Sequence, residues 1–271
     1  MDYQYIQVEP LTPTIGATIH GVDLSRPLDD HVFEEIHRAW MEHLVVFFRD
    51  QELTPEQHLE FGRRFGPLHI HPAAPYVHDN PELMHIHTDR HSHRNNGAGW
   101  HSDVSADEEP PLGSILHLHQ VPPRGGDTLF ASMYAAYDAL SEPMQNWLEG
   151  LRAIHRADYS GLYGDHKPQR ASPQSTHPVI RTHPVTGKKT LYVNSGFTRR
   201  IDGLNADESH RLLQFLFEHI QNSAFQCRFQ WQQNSIAMWD NRCTQHLAIW
   251  DYFPETRSGI RVTVKGNRPF C

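Results

Sequence analysis

With 271 residues, 38% of them hydrophobic and 10% aromatic, the chain can bury a sizeable core and lacks the composition of a disordered segment. A formal net charge of -8 argues against a nucleic-acid partner, because a phosphate-binding surface needs clustered Lys and Arg. No apolar run approaches the roughly 18 residues of a membrane span, and the opening MDYQYIQVEP has neither the basic nor the apolar region of an export signal, so a cytoplasmic location is expected.

In chain order, the first clear element lies in HVFEEIHRAWMEHLVVFFRD. It spaces Phe33, Ile36 and Trp40 at helical intervals and then runs into the apolar block Leu44 to Phe48, the pattern of a buried strand. TPEQHLEFGRRFGP predicts a helix with Thr54 as N-cap, Pro55 at the first helical position and Gln57 as reciprocal cap partner, stopped by Gly66 and Pro67. SILHLHQV alternates Leu116 and Leu118 with His117 and His119, as a strand does. Another helix begins at Asn205, where Glu208 completes a capping box and Leu212, Leu213, Leu216, Phe217 and Ile220 form a buried stripe. QCRFQWQQ and GIRVTVKG return to strand alternation through Cys227, Phe229 and Trp231 and through Ile260, Val262 and Val264. Short strands divided by turns such as PPRGGDT and HPVTGKKT predict an antiparallel barrel or sandwich with helices packed outside it, an α+β chain. No Ser/Gly/Pro linker divides residues 1–271, so a single domain is expected. Cys227, Cys243 and Cys271 are odd in number and lack metal-type spacing, which argues against a disulfide framework.

The chain carries 22 histidines, most of them necessarily structural because one metal centre uses two or three. In GWHSDVSADEEPP, His101 and Asp103 stand two positions apart. On an ideal strand such side chains leave the same face, so an imidazole nitrogen and a carboxylate oxygen can meet one ion. His246, in WDNRCTQH, is the candidate third ligand. Two histidines and a carboxylate leave three open positions on an octahedral ion, which suits non-haem Fe(II) oxygen chemistry; closed structural zinc sites favour four protein ligands, usually with Cys. Arg257 and Arg261 would share one strand face roughly 13 Å apart. Facing a cavity, two such guanidinium forks hold two anions rather than gripping one; solvated strand-face arginines are the other reading. SADEEPP reads as a surface acidic turn. HIHTDRHSHRNNGAG reads as a solvated loop, with a second metal site or a pH-sensitive lid as alternatives for His85, His87, His91 and His93. Asp240 and Asn241 read as groups that orient the strand presenting His246.

WHSD at 100–103, GGDT at 125–128, WDNRCTQH at 239–246 and the following Arg257 and Arg261 together closely resemble the taurine dioxygenase family of Fe(II)- and 2-oxoglutarate-dependent oxygenases. The likeness continues through IGATIHGVDLSRPL, VVFFRDQELTP, RFGPLHIHP, AAYDALS, HPVIRTHPVTGK and VNSGFT, nearly the whole chain in family order. It implies a double-stranded β-helix, or jelly-roll, core with flanking helices. It also implies that His101, Asp103 and His246 ligate Fe(II), and that Thr128 and Arg257 hold the distal carboxylate of the cosubstrate 2-oxoglutarate. Arg261 and His71 would take the substrate anion, and Phe197 would be a pocket aromatic. The implied reaction consumes O2 and 2-oxoglutarate, releases succinate and CO2, and hydroxylates a C–H bond of a small anionic substrate. A carbon bearing sulfonate or sulfate would then collapse to an aldehyde plus sulfite or sulfate. Homo-oligomers occur among such relatives, although no residue pattern here derives an interface.

The chain departs from the family's taurine enzyme where that enzyme contacts the ammonium group. A tyrosine three residues beyond the sulfonate histidine and an asparagine three before the loop tryptophan are replaced by Ala74 and Gly97. Tyr76 and Asn95 or Asn96 are neighbours that could compensate. A pocket aromatic after GLRAIH falls at Gly161 in an ungapped reading, among Tyr159, Leu162 and Tyr163. The expected substrate is therefore a different small anion: alkylsulfonates or sulfate esters first, then carboxylates such as aryloxyacetates, then phosphonates. Two further classes use the same residues. A cupin-like metal hydrolase would hold zinc at the three ligands and leave Thr128 and Arg257 unexplained, and a non-catalytic binding protein would keep the barrel alone.

Overall fold

The computed structural model describes residues 3–95, 97–158 and 172–271. Its first helix, Asp30–His43, starts where the Asp29 side chain accepts the His31 N–H, and it buries Ile36, Ala39 and Trp40 at the predicted spacing. Leu44, expected at the head of the next strand, is instead the hinge between the two. It takes a left-handed conformation at φ 67° with its N–H on the Trp40 carbonyl, and the strand is Val45–Phe48. Helix Pro55–Arg63 has the Thr54/Gln57 capping box, and helix Ala206–His219 has the Asn205/Glu208 one. Two short helices that periodicity did not mark, Met133–Asp138 and Glu142–Glu149, follow one another directly.

Eight strands form one mixed sheet, in the order Gln7–Pro10, Ala17–His20, Val45–Phe48, Ser235–Asp240, Gly113–Gln120, Arg257–Val264, Asn80–Thr88 and Tyr76–Val77. Its one parallel pairing joins Ala17–His20 to Val45–Phe48, with helix Asp30–His43 in the connection, as a parallel crossover requires. A three-stranded antiparallel sheet runs Gln226–Phe229, Thr128–Ser132, Thr244–Ala248.

The continuous apolar run in Val45–Phe48 has a packing reason. Alternate residues leave opposite faces of a strand, and both faces here are covered. Phe47 joins Leu116, Leu118, Ala237 and Trp239 of the large sheet to Phe130 and Phe229 of the small one. Val46 and Phe48 instead pack with Ile36 and Trp40 of the first helix. The core is thus layered as helix, large sheet, small sheet, an α+β arrangement. All three cysteines are free, with Cys227 and Cys243 buried. Among the described residues, no helix is long and apolar enough to cross a membrane.

Candidate active site

A cavity opens between the two sheets. Thr128, Phe130 and His246 line it from the small sheet, and Met84, Leu116, Trp239, Arg257 and Arg261 from the large one. His101 does not belong to a regular strand, which corrects the strand-face expectation for His101 and Asp103. It forms a single antiparallel bridge with His246, each residue donating its N–H to the other's carbonyl at 3.1 and 2.9 Å. That bridge sets the two imidazoles side by side, ring centres 4.1 Å apart. The chain then turns through residues 103–106, with Val104 at φ 50°, and the turn brings Asp103 back to both rings.

One nitrogen from each histidine and one Asp103 oxygen lie within 4.8 Å of one another. The Nε2 atoms of His101 and His246 stand 3.7 and 3.9 Å from Asp103 Oδ1. His101 Nδ1 donates to the Gly99 carbonyl at 2.7 Å, so in the neutral ring the lone pair sits on Nε2. Burial lowers the pKa of His101 and, with the His101 ring beside it, carries His246 well below the ordinary histidine value. Burial alone would raise Asp103; Arg261, His246 and His101 outweigh it and hold the carboxyl well below the usual carboxylate range. Two neutral imidazoles, one carboxylate, no thiolate and a cavity on the remaining side make a donor set that fits a divalent ion with open positions.

Arg257 and Arg261 lie on one strand and face this one cavity. Arg257 is buried; its Nε donates to the Gly126 carbonyl at 3.1 Å, and Nη2 lies 3.5 Å from Thr128 Oγ1. Burial lowers its pKa to about 10, which leaves it charged at neutral pH. Among the described residues no carboxylate forms an ion pair with it, and a buried guanidinium in that position is costly unless an anion joins it. Trp231 was legible only as one residue of an alternating strand. Its ring centre lies 5.4 Å from the Arg257 guanidinium, and its indole N–H donates to Thr128 Oγ1 at 2.9 Å. Both partners are remote in sequence, so no local pattern marks that role.

Arg261 has a double environment. Nη1 donates to Asp103 Oδ1 at 2.8 Å, Nη2 lies 3.0 Å from Met84 Sδ, and Nε has no hydrogen-bond partner. The residue expected at the substrate anion therefore also touches a candidate iron ligand. His71 lines the same cavity, and its Nδ1 accepts the N–H groups of Ala73 and Ala74 at 3.1 and 2.9 Å, which puts the ring proton on Nε2. Burial and the adjacent Arg261 lower its pKa to about 3, so it is a neutral donor. Phe197 contributes a half-buried wall, its ring centre 6.4 Å from that of His101.

Neither described neighbour restores an ammonium site. Tyr76 is 42% exposed at the sheet edge. Asn95 lines the cavity, but its amide is engaged, Nδ2 donating to the Ala248 carbonyl at 3.2 Å and Oδ1 accepting the Gly97 N–H at 3.1 Å. Asn96, Tyr159, Gly161, Leu162 and Tyr163 lie outside the described residues. His85 and His87, expected in a loop, belong to strand Asn80–Thr88 with their rings stacked 5.2 Å apart; His91 and His93 are exposed beyond it. Asp107, expected on a surface turn, is buried with His69 Nε2 3.5 Å away.

Residues 7–263 match the family described as taurine catabolism dioxygenase TauD, TfdA family. An alpha-ketoglutarate-dependent sulfonate dioxygenase of Saccharomyces cerevisiae is 37% identical across 97% of this chain and 68% of its own length. An alpha-ketoglutarate-dependent sulfate ester dioxygenase of Pseudomonas putida is 34% identical across 97% of this chain and 91% of its own. The crystal structure of a taurine dioxygenase from Burkholderia xenovorans is similar with a TM-score of 0.88 at 39% identity, covering 98% of this chain and 93% of that one.

Proposed function

The chain belongs to the taurine catabolism dioxygenase TauD, TfdA family, and from that premise we propose that it hydroxylates a sulfonate or sulfate ester whose organic part is apolar and carries no cation. It is a 2-oxoglutarate-dependent dioxygenase. In the proposed arrangement His101, Asp103 and His246 hold Fe(II), which supplies the O2 activation that side chains lack. Thr128 and Arg257 take the distal carboxylate of 2-oxoglutarate, and Arg261 with His71 takes the substrate's sulfur oxyanion. We read residues 1–271 as one double-stranded β-helix domain working in the cytoplasm; the cavity lined by both sheets supports that fold reading.

The observation that carries the proposal is that one cavity holds the His–Asp–His group together with two separate arginines. Each arginine is buried, and the two forks have different neighbours: Arg257 beside Thr128, Arg261 beside Asp103. Beyond Arg261 the lining has an apolar part, Pro75, Met84, Ile86, Val104, Leu116 and Phe197, and a polar part that includes His85, His87, Thr88, Arg94, Asn95 and Tyr252. The apolar part gives a hydrocarbon chain contact, while Ala74 and Gly97 stand where the taurine enzyme's ammonium contacts would be, a loss of about 1–3 kcal/mol per unmade buried bond. Taurine is therefore a poor fit and an alkyl sulfate or alkylsulfonate a good one.

In balance, R–CH2–SO3− with O2 and 2-oxoglutarate gives R–CH(OH)–SO3−, succinate and CO2. The hydroxylated carbon then expels sulfite to leave R–CHO, and a sulfate ester likewise expels sulfate. The protein's part is to fix the anion so that the adjacent C–H faces the ion and to exclude water from the cavity. Succinate formation by the Fe(II)-loaded protein, measured with taurine, alkylsulfonates, alkyl sulfates, aryloxyacetates and phosphonates, tests this. Stimulation by alkyl sulfur oxyanions with matching sulfite or sulfate release is expected; stimulation by taurine, carboxylates or phosphonates alone would overturn it.

A further inference from the structure

The carboxylate of Asp103 has two oxygens, and a directed chain of buried hydrogen bonds treats them differently. The chain starts at Trp239, whose indole N–H can only donate. It donates to Asn241 Oδ1 at 3.0 Å, and that oxygen also accepts the Asp103 backbone N–H at 3.3 Å. Two donors on one oxygen fix which end of the Asn241 amide is which, so Nδ2 must be the atom facing Ser114 Oγ at 3.0 Å. Ser114 thereby receives a hydrogen bond from Asn241, and its own proton goes to Asp103 Oδ2 at 2.7 Å. None of these four residues is more than 3% exposed, so water does not compete for the links.

We propose that Ser114, set by Asn241 and Trp239, is a positioning residue that ties down Asp103 Oδ2 and so leaves Oδ1 as the single oxygen offered to the metal. Oδ1 is the atom that faces His101 and His246 Nε2; it also accepts Arg261 Nη1 at 2.8 Å, so it offers an ion its remaining lone pair. The inference rests on the reading of Asp103 as a ligand and adds the denticity of that ligand. A carboxylate free to rotate can present both oxygens to an ion and use a position that the cosubstrate or O2 needs. With Oδ2 accepting the Ser114 proton, that rotation costs a buried hydrogen bond. In the sequence Asn241 reads as orienting the strand of His246, but neither its partner Ser114, 127 residues away, nor the link to Asp103 is visible there.

The test uses Co(II) in place of Fe(II), titrated into the full chain without O2, reading affinity and the visible d–d bands of the bound ion. Ser114→Ala is expected to weaken Co(II) roughly ten- to hundredfold and to shift the bands toward a changed coordination number. Ser114→Cys, of similar shape and a weaker donor, is expected to fall between Ala and the wild type, and it decides the matter if the Ala variant does not fold. Ser209→Ala removes a buried hydrogen bond remote from this chain, the Ile201 N–H to Ser209 Oγ at 2.8 Å, and is expected to leave the bands unchanged. Wild-type affinity and bands in both Ser114 variants would overturn the proposal, as would an equal change in Ser209→Ala, which would indicate general loosening. Asp103→Ala separates the two levels: if it keeps Co(II), the ligand reading has failed, and if it loses Co(II) while Ser114 variants bind normally, only the positioning role has failed.

Discussion

Among the described residues, two clusters bring a histidine and an aspartate together with a third metal-ligating side chain, and only one of them is open. His183, Asp240 and Cys243 gather their ligand atoms within 4.8 Å, as His101, Asp103 and His246 do. In the first cluster both Asp240 oxygens accept from Arg242, and Oδ2 also accepts His183 Nε2 at 3.0 Å. His183 Nδ1 accepts two backbone N–H groups, from Val185 and Thr186. Burial and the neighbouring Asp240 push the Cys243 thiol well above its usual value, so it stays protonated. In the second cluster each Asp103 oxygen accepts one hydrogen bond, Oδ1 from Arg261 and Oδ2 from Ser114, but the two histidine Nε2 atoms stand 3.7 and 3.9 Å from Asp103, beyond hydrogen-bonding range, beside a cavity. Nearness of ligand types therefore does not make a metal site. An ion needs lone pairs that the fold has not already committed, and an approach to them.

Removing each aspartate breaks the comparison most visibly. Asp103→Ala is expected to abolish metal binding and succinate formation, and retained turnover would remove the ligand assignment. Asp240→Ala is expected to leave Arg242 buried without its partner and to cost about 3–5 kcal/mol in denaturant unfolding, with metal content still one ion per folded chain. A second equivalent of metal in the wild type, lost in Asp240→Ala, would erase the distinction between the clusters.

Acid sharpens the same contrast by attacking histidines that serve the fold. Burial lowers His58 and His155 to about 3 and His177 to about 4. Neutral when folded and protonated below about 6.5 when unfolded, they make the unfolded chain bind more protons as pH falls. Their stabilisation is thus present at neutral pH and lost from pH 6.5 down to about 4 for His177 and about 3 for His58 and His155, each costing about 2 kcal/mol by pH 5. Calorimetric melting is expected to fall steadily over that range, and an unchanged midpoint from pH 7 to 5 would contradict the burial account. The smallest effect belongs to a cap far from the cavity. Asn205→Ala is expected to cost about 1 kcal/mol and to leave 2-oxoglutarate affinity unchanged; a change in that affinity would show helix Ala206–His219 coupled to the site.

What the sequence revealed follows from the range of each interaction. The capping boxes at Thr54 and Asn205 were legible because donor and acceptor lie within one turn. The grouping of His101, Asp103 and His246 was legible as residue types and by resemblance, but not through strand geometry. The bridge from His101 to His246 and the turn at Val104 replace the strand face, and neither leaves a periodic signal. The Arg261 contact with Asp103 spans 158 residues and the Ser114 contact with Asn241 spans 127, so only the folded chain reveals them. Asp107 departs from its expected exposure because an acidic run looks solvated until the turn carrying it is seen folded inward.

The central claim is that one cavity holds two anions at two arginines. Calorimetric titration of 2-oxoglutarate into Arg257→Leu and Arg261→Leu, each saturated with Co(II) in the absence of O2, tests it most directly. The expected result is a loss of roughly 30-fold or more in Arg257→Leu, as for removing one partner of a buried charge pair, with Arg261→Leu staying within a few-fold of the wild type. Equal losses in both variants, or a loss confined to Arg261→Leu, would contradict the account.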